Sequence, residues 1–276
     1  MDFNAIFNIA RLELTINIRN RWTLIFALVF AALVVAIAYF GLVTAGTVGF
    51  QGFLRTSASL LNLVLYLVPL VALVMGTMSF TSEKSAGDLL YAQPVTRIEI
   101  LIGKLGGLFA SLLASTLIGF GLGGLIIAVK AGTEGVVRYP LFVFLSLLLG
   151  LIFLALSALV AAWSQRKAKA FGITLFLWFF FVLFYDLLVI GGTFLLQERI
   201  ANRFIFISLA GNPVDMVRVA SLIVLNGKPI FGPAGAALVR FLGGDRVSLM
   251  ALALGLLSWV VFPIYLSSRS LKSQDI

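Results

Sequence analysis

The side chains that most often carry chemistry are missing from this sequence: its 276 residues include neither Cys nor His. Without Cys there is no thiolate nucleophile, disulfide or iron–sulfur site, and without His no imidazole base and no ordinary zinc or copper ligand set. Met75 and Met78, three apart on one helical face, are a weak candidate for Cu(I); gap-filling between helices is the plainer use of methionine. Gly119-Phe-Gly121-Leu-Gly-Gly124 has G-x-G-x-x-G spacing, yet it follows no strand, lies in an apolar run and has no acidic residue about 20 positions later, so no dinucleotide is expected. Gly103-Lys104 is not a phosphate loop either, since Ile98 and Leu105 stand where that motif needs Gly and Ser or Thr. Asp186, in Phe184-Tyr-Asp-Leu-Leu188, is a carboxylate well inside an apolar run. An ionisable group there is a functional candidate by default, as an outer gate or as the partner of an outer arginine.

These residues sit in elements made for lipid. The chain is 61% hydrophobic and 11% charged, with a mean hydropathy of +1.12, against about 45–50% apolar and about 25% charged in soluble domains. A soluble enzyme is excluded. A bilayer core about 30 Å thick needs about 20 apolar helical residues. Six runs qualify: 22–43, 59–80, 101–129, 141–163, 170–196 and 248–266. Residues 1–21 come before them. There Phe3, Ile6, Phe7, Ala10, Leu14 and Ile18 repeat at helical spacing while Asn4, Asn8, Arg11, Thr15 and Arg19 face away, which predicts an amphipathic helix in the membrane interface. Small-xxx-small spacing at Gly103/Gly107 and Gly119/Gly123 predicts close helix contacts. No repeat or linker divides the chain, so residues 1–276 read as one membrane domain.

The formal charge of +9 flanks the apolar runs, which points to anionic lipid headgroups and not to nucleic acid. Arg11, Arg19, Arg21, Lys84, Arg97, Lys104, Arg166, Lys167, Lys169, Arg269 and Lys272 fall on one side. The two short opposite loops hold Arg55, and Lys130 with Arg138. Long loops translocate largely regardless of charge, so the short ones decide: both termini are expected in the cytoplasm.

Between the second and third runs, a short helix over Glu83–Ala92 is expected to stop before Pro94, and Thr96 with Glu99 forms a T-x-x-E capping box for the next helix. Glu83, Gly87, Leu90, Pro94, Arg97 and Gly103-Lys104 resemble the pattern that ABC-2 type permeases, the membrane subunits of ABC transporters, carry at this place. The resemblance covers nearly the whole chain. It implies an all-α, type V exporter-like fold with six transmembrane helices, an N-terminal interfacial helix, a cytoplasmic coupling helix and short extracytoplasmic helices between spans 5 and 6. It also implies a bacterial inner-membrane location, a second copy of the chain, and a separate ATPase contacted through Glu83, Lys84, Gly87, Asp88, Leu90, Pro94 and Arg97. ATP and magnesium would belong to that ATPase; this chain would bind no cofactor and catalyse nothing itself.

The outer segment, 197–247, is apolar but broken by Pro213, Pro229 and Pro233. Asn212 is a good N-cap, Pro213 suits the first helical position and Asp215 the first turn, so a helix is expected over Val214–Leu225, ending at Asn226-Gly227. A second fits Ala234–Leu242. Helices too short to span should lie on the outer face or dip into it. Asn212-Pro-Val-Asp215 with Arg218, and Gly232-Pro-Ala-Gly-Ala-Ala-Leu-Val-Arg240, are similar to the permeases of nitrous oxide reductase maturation systems. That similarity implies a NosF-like ATPase, a periplasmic NosD-like β-helical protein met through Asn212, Asp215 and Arg218, and a role in copper delivery. Since the chain lacks strong copper ligands, it would transmit motion and leave the metal to others. Two alternatives stand beside this: an ABC-2 exporter of a drug, lipid or other hydrophobic substrate, and an ATP-independent secondary carrier. The carrier would want intramembrane charges along a pathway and an internal repeat.

Overall fold

The computed structural model describes residues 2–43, 50–82, 95–131, 133–164, 166–225 and 244–272. The expected helices over Glu83–Ala92 and Ala234–Leu242, and the stop at Asn226-Gly227, lie outside these residues. Within them the elements are α1 (Phe3–Ile18), α2 (Arg21–Val43), α3 (Phe50–Ser82), α4 (Arg97–Ala131), α5 (Thr133–Trp163) and α6 (Lys167–Phe179). A π-helical turn, Phe180–Phe184, then joins α6 to α7 (Tyr185–Leu195), followed by α8 (Glu198–Ala210), α9 (Pro213–Val224) and α10 (Asp245–Lys272).

Among the described residues, six stretches are long and apolar enough to cross a membrane: Arg21–Gly41, Thr56–Thr81, Arg97–Val129, Val137–Trp163, Lys167–Leu195 and Asp245–Leu271. They match the six expected runs, and the chain is a multi-pass membrane protein. The third begins at Arg97 because the capping box forms: Thr96 N–H donates to Glu99 Oε2 (2.8 Å), and Glu99 N–H reaches back to Thr96 Oγ1 (3.4 Å). Span 4, α5, is the most enclosed, packed by α3, α4, α9 and α10. Phe30, Phe120, Tyr139 and Phe142 interlock spans 1, 3 and 4 by tilted and edge-to-face contacts. Gly119 backs onto Phe30 and Ala31, and Gly123 onto Val34 and Tyr139.

α1 forms over the expected residues and packs one face on α4. Its Phe3 and Phe7 are exposed, whereas Glu13 and Asn17 are buried. The face Ile6, Ile9, Ala10 and Glu13 lies against α4, where a Cβ at Gly103 would sit 2.9 Å from the Ile6 carbonyl and one at Gly107 2.6 Å from the Glu13 Cβ. Backbones approach this closely only over glycine. Within the one apolar face, Phe3 and Phe7 stay exposed while Ile6 and Ala10 meet α4, and Glu13 and Asn17 find hydrogen-bond partners in protein.

The segment after span 5 holds one helix more than expected. α7 is followed by α8, which was not anticipated and runs back antiparallel to it: Tyr185 Oη donates to the Ser208 carbonyl (2.6 Å), and Phe204 packs over Gly192. The chain turns at Gly211-Asn212, level with Phe181. At 1.5 Å per residue that is about 21 Å above Lys167 and far inside the bundle. α9 then rises until its Val224 carbonyl meets Arg138 Nη1 (3.2 Å). The cap is as expected, with Val214 N–H on Asn212 Oδ1 (3.0 Å) and Pro213 in the first turn. Of the two placements expected, its burial is that of a helix dipping inward and not of one lying on a face. Val214, Met216, Val217, Ala220 and Leu222 are buried among α5, α10 and α3.

Candidate functional site

Two polar assemblies interrupt the apolar bundle. The first lies at the end that carries α1 and the close of α10. Glu13 on α1 and Lys104 on α4 are 6% and 5% exposed, with Lys104 Nζ 3.7 Å from Glu13 Oε2. Ser79 on α3 joins them: Lys104 Nζ donates to its carbonyl and hydroxyl (3.1 Å each), and that hydroxyl donates to Glu13 Oε1 (2.7 Å). Asn17 Nδ2 donates to the same Oε1 (2.7 Å), and the ammonium stands 5.4 Å from the centre of the Phe80 ring. A buried charge is tolerable only when paired and hydrogen-bonded, and this pair is both. Beside it Asp2 N–H donates to Glu99 Oε1 (2.6 Å), so α1 is held near each end. Arg97 Nη1 donates to the Leu271 carbonyl, tying the start of α4 to the last turn of α10.

These contacts frame the ends of α3 and α4, between which Glu83, Lys84, Gly87, Asp88, Leu90 and Pro94 lie outside the described residues. Arg97 is the member of that expected set whose contacts are described. Glu13, Ser79 and Asn17 carried no signal in a helical-wheel reading. In the sequence Lys104 counts as a flanking base and as half of the Gly103-Lys104 pair.

The second assembly holds the hairpin tip. Arg218 Nη1 on α9 donates to Asp215 Oδ1 (2.6 Å) and to Asp186 Oδ2 on α7 (3.1 Å). Asn212 Nδ2 donates to Asp215 Oδ2 (2.8 Å) and to the Phe181 carbonyl inside the π-helical turn (2.9 Å). Sequence analysis groups Asn212, Asp215 and Arg218 and sets Asp186 apart, as an outer gate or the partner of an outer arginine; the structure brings all four together. Their side chains are engaged within the chain, and Asn212 is fully buried. Asp186 has an arginine from the segment after span 5 as its partner. Tyr185, which sequence reading passed over, completes the site through Ser208.

Neither assembly has the makings of a metal centre. Met75 is buried and Met78 is 39% exposed. No group of three or more His, Cys, Asp or Glu could hold a metal ion among the described residues. Each assembly can fasten helices to one another and, by exchanging partners, let them shift.

The six candidate spans agree with the result of family comparison: the ABC-2 family transporter protein model matches residues 7–276. The chain belongs to that family, and it is an ABC-2 permease subunit of an ABC transporter. Among curated relatives, it is similar to the probable ABC transporter permease protein NosY of Pseudomonas aeruginosa, at 40% identity over 92% of this chain and 93% of that one. It is also similar to the protein of the same description from Stutzerimonas stutzeri, at 37% identity over 93% of this chain and 94% of that one.

Proposed function

We propose that this chain is the NosY-like permease of a copper-delivering system for nitrous oxide reductase, placed in a bacterial inner membrane with both termini in the cytoplasm. The observation that carries the reading is the 40% identity to a NosY permease over nearly the full length of both chains. The absence of Cys and His supports a subunit that moves and does not ligate the copper it serves. In this reading a separate NosF-like ATPase docks on the segment Glu83, Lys84, Gly87, Asp88, Leu90, Pro94 and Arg97. Two copies assemble. Closure of the ATPases displaces the ends of α3 and α4, and the far-side segment held by Asn212, Asp215 and Arg218 passes the motion to a NosD-like periplasmic protein.

The test is deletion and complementation, with the copper content of purified nitrous oxide reductase as readout. Cells lacking the permease should yield copper-poor enzyme. Wild-type permease should restore it, while reversal of charge at Glu83 together with Arg97 should not, although the protein still assembles. Full copper loading without the permease, or stoichiometric tight Cu(I) on the purified permease alone, would overturn the proposal.

A further inference from the structure

We propose that α7 and α8 form a flap, hinged where the π-helical turn meets the Gly211-Asn212 turn and latched by Arg218 on Asp186. The partition of contacts along span 5 carries this inference. Below the turn, α6 is bonded to span 2: Thr77 and Thr174 hydroxyls share a hydrogen bond (2.7 Å), and Trp178 Nε1 donates to the Tyr66 carbonyl (2.9 Å). Above it the partners change. α7 has no buried residue; it packs on α8, and Leu187, Leu188, Ile190, Phe194 and Leu195 are exposed. α9, by contrast, is seated among spans 2, 4 and 6. Two consecutive helices that lean on each other thus stand beside a body to which both neighbouring segments belong.

The chain enters and leaves this pair at one point. Tyr185 N–H reaches the Phe180 carbonyl across the widened turn, and the neighbouring Phe181 carbonyl accepts from Asn212 Nδ2 (2.9 Å), so one hydrogen bond joins the two ends of the flap. A π-helical turn is a local weakness in a helix and a frequent mark of function. Gly211 admits Tyr185 Oη where a side chain would collide, which keeps α7 and α8 together close to the pivot. Between flap and body the ion pair spans α7 and α9: Asp186 moves with the flap, while Arg218 is kept in place by Asp215 (2.6 Å). Arg218 therefore retains a carboxylate when Asp186 leaves, which lowers the cost of opening at membrane depth. The two-acid, one-base arrangement is what a latch that must reopen requires. What drives the flap rests on the coupling reading above; the flap itself does not.

Its test uses the absence of native Cys. Gly172 on α6 and Gly191 on α7 have open space about them, and Ile207 on α8 and Val247 on α10 are exposed, so each accepts a spin label as a Cys variant. Distances are read in lipid nanodiscs for the pairs Gly172/Gly191, Gly172/Ile207 and Gly172/Val247. In Arg218→Met, and in the milder Asp186→Asn, the first two distributions should broaden together while the third stays as narrow as in the parent. Unchanged flap distances in both variants would overturn the proposal, as would broadening of all three pairs or of only one flap pair. In the permease–ATPase complex, trapping with vanadate should shift both flap distances together. Broadening in the variants without that shift would leave the flap standing and defeat the coupling reading.

Discussion

The Glu13–Lys104 pair shows what one residue can cost. Removing one member of a buried, hydrogen-bonded ion pair strands the other charge, at about 3–5 kcal/mol, whereas replacing both by neutral side chains of like shape is often close to neutral. Lys104→Met should therefore lower the stability of the purified permease by about 3 kcal/mol, while Glu13→Gln combined with Lys104→Met should recover most of it. Thermal unfolding in one detergent measures both; equal losses in the single and double variants would show that Ser79 and Asn17, and not the opposite charge, hold Glu13. Asn212 has three jobs, since its side chain caps α9, steadies Asp215 and takes the Phe181 carbonyl. Asn212→Ser keeps an acceptor for the cap and loses both amide bonds. It should cost about 1–2 kcal/mol in the same assay, and Asn212→Ala more.

At the scale of elements, α1 is the sharpest test of packing. An ideal Cβ at Gly106 lies 3.8 Å from the Ala10 Cβ, which is the usual separation of about 3.8 Å across a disulfide. In this Cys-free chain, Ala10→Cys with Gly106→Cys should oxidise to a single intrachain bond, read as protection from alkylation by mass spectrometry. Adding Gly107→Leu, which drives a side chain into the α1 backbone, should abolish the bond. Six spans, the Thr96/Glu99 box and the Asn212-Pro213 start of α9 were legible because each is a local signal: run length, a four-residue cap, a first-turn proline. The partners that α1 and α9 meet were not. Lipid and protein interior accept the same apolar side chains, so periodicity cannot say which one a face meets. α8 escaped notice because its first turn, Glu198-Arg199-Ile200-Ala201, is as polar as a loop, and a neighbour in the bundle gives it a place.

For the molecule as a whole, the charge distribution predicts which side is which, and the prediction is testable. The eleven bases assigned to the side of the termini outnumber the nine opposite only slightly, but six of the nine sit in the long segment after span 5, which weighs little in topogenesis. What weighs is the contrast between short connections. The link from span 4 to span 5 carries Arg166, Lys167 and Lys169, all exposed, whereas Arg138, at the opposite end of span 4, is drawn onto the Val224 carbonyl. The fold adds a constraint that counting cannot: Asp2, Glu99, Arg97 and Leu271 are bonded to one another in pairs across α1, α4 and α10, so both chain ends share one side, and a single determination fixes the whole topology. Ala168→Cys should react with a membrane-impermeant maleimide only when the reagent reaches the cytoplasm, and Val247→Cys only from the periplasm. The reverse pattern would place the segment 83–94 away from any cytoplasmic ATPase, so the same two labels that set the orientation also decide whether ATP can drive this permease through that segment.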